Sequence, residues 1–122
     1  MIDPKFMNGY DIVFISETHV NGSLLKHVDG FKPISDPTFA AINSGGMAAY
    51  LNVRLFPYVC NIRFTKCTLS FSLSILPGFC FMLVYIYPVD SMNYNLNDFG
   101  IVSEEISYWL LCGNTPYIGR DV

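Results

Sequence analysis

Residues 68–89 read TLSFSLSILPGFCFMLVYIYPV, and the fold turns on how they are read. A helix crosses a bilayer with about 20 apolar residues, and this uncharged stretch is long enough to do so. Two features argue for strands instead. From Thr68 to Ile75 polar and apolar residues alternate without a break, which is the period of a half-buried strand. Pro77-Gly78 then supplies a turn in the middle of the stretch. Phe79 to Tyr87 follows as a run of aromatic and branched residues suited to a central strand. The expectation is a hairpin with no membrane span.

Outward from this hairpin the chain alternates strand-like and irregular text. Upstream, Tyr10 to Ser16 reads as a buried strand that ends in the polar triplet Glu17-Thr18-His19. Residues 20–44 are punctuated by Gly, Ser and Pro and show no clear period. Gly45-Gly46 opens a second strand, Met47 to Asn52. Arg54 to Lys66 is ambiguous, because Pro57 limits any central strand there. Downstream, the polar residues 90–97 lead to Asn97, a good N-cap, with Asp98 favourable to the dipole of the helix that follows. Phe99, Val102 and Ile106 would form its apolar face. Trp109 to Cys112 reads as a further strand stopped by Gly113. Strands with an intervening helix give an α/β or α+β class. No repeat, low-complexity tract or linker divides the chain, so residues 1–122 are read as one domain.

Composition narrows the function. Of 122 residues, 52% are hydrophobic and 14% charged, against about 25% charged in an average globular chain. That excludes intrinsic disorder, which needs low hydrophobicity and high charge. The net charge of −3 provides no basic footprint for nucleic acid. The low charge and mean hydropathy of +0.36 suggest a membrane protein, a poorly soluble one or the buried part of something larger. Cys60, Cys67, Cys80 and Cys112 form no CxxC pair and have no His at zinc-finger spacing, so they read as buried, reduced thiols on strands. The N-terminal text MIDPKFMNGYD has no apolar stretch after a basic start, which points to an intracellular, reducing location.

A carboxylate at the end of an apolar strand is well placed to hold a hard cation, and Glu17 follows such a strand. Four fragments in order extend this observation: YDIVFISETH (10–19), GGMAAYL (45–51), VYIYPVDSMNY (84–94) and LLCGNTPYIGRD (110–121). Together they resemble the endonuclease/exonuclease/phosphatase superfamily. The nearest likeness is to the endonuclease domain that precedes the reverse transcriptase in non-LTR retrotransposons, whose members read approximately "yDIifLsETH", "GGvavYv", "vYipPedS.y" and "iiCGDfNariG".

The resemblance implies an α/β fold, here a partial endonuclease/exonuclease/phosphatase-like β-sandwich with flanking helices. It implies Mg²⁺-dependent hydrolysis of DNA phosphodiesters, with Glu17 as metal ligand and Tyr85 as an active-site phenol facing the phosphate. His19 would pack or hydrogen-bond near the site. The metal would polarise a phosphoryl oxygen while a carboxylate orients the attacking water. Departures from the pattern bear on that chemistry. Asn114 stands where the family has its Asp, and an amide cannot take a proton from water. Pro116 stands near the family's phosphate-binding Asn, and Tyr87 replaces the first proline of "YipP". Thr115 and Arg120 match no residue with a role. The family's first strand would precede Met1, and its Ser-Asp-His segment would follow Val122. The expectation is therefore a single partial domain with impaired nuclease activity. The alternatives are a non-catalytic module on the same scaffold, binding a protein partner through apolar surface, and a small membrane protein.

Overall fold

The structure, a computed structural model, describes residues 11–16, 27–35, 47–86, 89–90, 92 and 94–119. The chain forms two compact units that meet in sequence between Tyr58 and Val59. Each is built on its own sheet.

In the first unit β1 (Ile12–Ser16), β2 (Phe31–Ser35) and β3 (Met47–Asn52) form an antiparallel sheet in the order β1-β3-β2. β3 is central, with Val13 and Pro33 both paired to Tyr50. Its near-continuous apolar text follows from that place, since Ala48, Ala49, Tyr50 and Leu51 are all buried. Val28, Phe31 and Tyr50 make a cluster on one face, joined by Val13 and Ile15. β2 lies in a segment where no period was legible. Pro33 cannot donate to a ladder, and it is tolerated because β2 is an edge strand.

The second unit contains β4 (Val59–Phe64), β5 (Thr68–Leu73), β6 (Phe79–Val84), the helix α1 (Asp98–Leu111) and β7 (Thr115–Gly119). The sheet order is β4-β5-β6-β7, and only the β6–β7 pair is parallel. The expected hairpin is β5–β6, turning through Gly78 at φ +87°. Among the described residues no helix is long and apolar enough to cross a membrane. The ambiguous stretch before the hairpin divides into a 3-10 turn at Phe56–Tyr58 and the edge strand β4.

The alternating pattern of β5 promised one wet face, yet all six of its residues are buried. Thr68, Ser70 and Ser72 face α1, and their hydroxyls find partners inside the protein. Trp109 Nε1 donates to Ser70 Oγ at 3.0 Å. Ser72 Oγ donates to the Cys60 carbonyl at 3.2 Å. Thr68 Oγ1 lies 2.6 Å from Thr65 Oγ1. Cys80, Met82 and Trp109 form the apolar cluster beneath the helix, with Val84 and Ile106 packed against it. On the opposite face an aromatic ladder crosses three strands, Phe71 to Phe81 at 5.8 Å and Phe81 to Tyr117 at 6.2 Å between ring centroids.

Three expectations for the helical region are corrected. Trp109 to Leu111 are the last turn of α1 rather than a strand, and the strand comes later, as β7. The helix persists because Asp98, Glu105 and Trp109 repeat on one face. It stops through a Schellman motif: Gly113, at φ +84°, donates to Leu110 O at 3.0 Å, and Asn114 N donates to Trp109 O at 2.9 Å. Secondly, of the expected face Phe99–Val102–Ile106, Ile106 packs against the core and Val102 is half-buried, but Phe99 is 55% exposed. The helix is rotated so that Asp98 and Glu105 point inward, toward Lys66 in the β4–β5 loop and Arg63 on β4. Thirdly, Asn97 occupies the N-cap position without a side-chain cap bond. The Asn95 side chain does the local work instead, its Oδ1 accepting from Asn97 N at 2.9 Å.

The cysteines are all unpaired thiols. Cys67 and Cys80 are buried and Cys60 is half-buried on β4, whereas Cys112, expected on a buried strand, is exposed at the end of α1.

Candidate functional site

The β6–α1–β7 unit has two distinct ends, and they divide the residues singled out in the sequence. Tyr85 follows β6 at its carboxyl end. Its backbone N–H donates to the Cys67 carbonyl at 2.8 Å, which fixes it beside the start of β5. Asn114 precedes β7 at the amino end. The next residue, Thr115, donates to the Gly78 carbonyl at 2.8 Å, and Phe79 pairs with Thr115. With a rise of about 3.3 Å per residue, the length of β6 separates the two by roughly 20 Å. The structure therefore does not bring Tyr85 and Asn114 together. Asn114 belongs to the turn that ends the helix, its side chain donating to Cys112 O at 3.4 Å.

The carboxyl end is the richer in chemistry. α1 begins there with Asp98, whose side chain is 2% exposed. Lys66 Nζ donates to Asp98 Oδ1 at 3.1 Å. Asp98 Oδ2 is buried and has no hydrogen-bond partner among the described residues. Cys67 lies close by, and its thiol is pushed up to about 11 by burial first and by the Asp98 carboxylate second. At neutral pH it is protonated and inert as a nucleophile. The loop Thr65–Thr68 is held by Thr65 Oγ1, which accepts from Cys67 N at 3.2 Å and Thr68 N at 3.0 Å. This end thus gathers the residue Tyr85, the half-exposed Lys66 ammonium and the amino end of a helix. Carboxyl ends of parallel strands are where open α/β sheets receive ligands, and helix amino ends favour anions.

Sequence reasoning missed the second polar clamp on α1. Arg63 reaches Glu105 with two parallel bonds, Nε to Oε2 at 3.0 Å and Nη2 to Oε1 at 2.8 Å. Its guanidinium also stacks 3.7 Å from the Tyr108 ring centroid. The Glu105 bond holds the Arg63 pKa above its ordinary value. A β-bulge makes this possible. Cys60 pairs with Ser72 and Arg63 with Ser70, so Asn61 and Ile62 oppose a single residue. Asn61 sits at φ +55° and absorbs the extra step. Without the bulge Arg63 would face away from the helix. The available signal was spacing: Arg63 and Lys66 are three apart, while Asp98 and Glu105 are two helical turns apart on one face.

Glu17 and His19 lie outside the described residues, the last of them before Glu17 being Ser16 at the end of β1. Among the described residues no three His, Cys, Asp or Glu side chains form a group that could hold a metal ion.

At this level the chain is a sheet-dominated α/β protein. No family model, curated protein or solved structure matches it.

Proposed function

We propose that the chain belongs to a Mg²⁺-dependent DNA phosphodiesterase domain of the endonuclease/exonuclease/phosphatase type, related to the endonuclease of non-LTR retrotransposons. The observation that carries the reading is the parallel β6–α1–β7 unit, with Tyr85 at the carboxyl end of β6. Asn114, at the position of the family Asp, cannot activate water, because an amide takes no proton from it. Glu17 is the metal ligand in this reading, and a bound Mg²⁺ would polarise a phosphoryl oxygen. Tyr85 donates from its phenol to the phosphate, and His19 supports the site by packing.

Affinity for DNA is weak in this reading, because phosphate contacts need Lys and Arg and the net charge is −3. A second reading, a non-catalytic module that binds a protein partner, is favoured by exposed apolar residues such as Leu110, Leu111 and Tyr117.

The test combines a thermal melt with plasmid nicking in millimolar Mg²⁺. The expected result is a melting temperature that rises with Mg²⁺ and slow nicking. Glu17→Ala should abolish both. Asn114→Ala should leave nicking unchanged, since Asn114 stands at the opposite end of β6–β7 from Tyr85. A melt indifferent to Mg²⁺, without nicking, would overturn the enzymatic reading in favour of the binding module. Nicking that survives Glu17→Ala would remove that residue from the site.

A further inference from the structure

We draw no further inference here: the strongest candidate, the partly exposed aromatic face of β6 and β7 built from Phe79, Phe81 and Tyr117, carries nothing, because nothing in the structure shows what covers it.

Discussion

The two sheets fasten their layers differently. In the first, the core around Tyr50 is apolar, with Val28, Phe31, Val13 and Ile15 against it, and the described polar side-chain contacts, His27 with Asp29 and Arg54 with Asn52, are local and exposed. In the second, apolar packing around Trp109 is supplemented by directional polar bonds, Arg63 to Glu105, Lys66 to Asp98 and Trp109 to Ser70. A strand in a sheet is registered by its own backbone. A helix lying on a sheet has no such ladder and can slide or rotate on an apolar surface. Charged bonds that form in one position only provide the missing register. The carboxyl end of β6–β7, where the candidate site lies, depends on that register because Lys66 and Asp98 are part of it.

The sharpest way to break the contrast is Trp109→Ala. It empties the centre of the helix–sheet core and leaves Ser70 Oγ without its donor. A loss of about 3–5 kcal/mol is expected, read as a fall in the urea midpoint. A loss below about 1 kcal/mol would mean that the helix is not held through this residue.

Arg63→Ala comes next, leaving the buried Glu105 carboxylate without its partner at a cost of about 2 kcal/mol. Replacing the pair together, by Arg63→Met with Glu105→Leu, should recover most of that loss. If the helix then accepts more than one position, seen as broadened amide resonances in α1, the pair supplies specificity rather than stability. Sharp resonances in the double variant would assign register to the apolar contacts alone.

A smaller effect tests how Arg63 comes to face the helix. Asn61→Val forces a branched side chain into the left-handed region and should cost about 1–2 kcal/mol. Asn61→Gly, free of that penalty, should be close to neutral. Equal losses in both would show that the Asn61 side chain matters rather than its backbone.

The smallest effect appears only in alkali. Cys67 and Cys80 both have pKa values raised to about 11 from 9.0, chiefly by burial. The unfolded chain therefore releases these protons at lower pH than the folded one. Stability should be unaffected by them below about pH 9 and should fall as pH rises toward 11. A melting series over that window should steepen there, and Cys80→Ala should flatten part of the slope. An unchanged slope would mean that Cys80 is not buried as described.

Much of the fold was legible before the structure. The hairpin β5–β6 follows from alternation followed by Pro77-Gly78, and β1 and β3 follow from apolar runs. β2 was hidden because Pro33 and Lys32 look like loop text, and only an edge position reconciles them with a strand. Trp109 to Leu111 misled because a short apolar run fits strand and helix equally. The decision came from the packing of Trp109 against Cys80 and Met82. Of the candidate site, the sequence grouped Tyr85 with Asn114 from two separate family fragments, since motif order says nothing about which end of a strand a residue occupies.

What the sequence determined by itself is where strands and turns lie, because period and turn chemistry are local properties of the chain. Only the tertiary structure decided that the hydroxyl face of β5 is buried, that two carboxylates of α1 point inward, and that Tyr85 and Asn114 stand at opposite ends of β6–β7. Those outcomes depend on partners distant in sequence. A serine or glutamate is buried at acceptable cost only where another element brings it a donor.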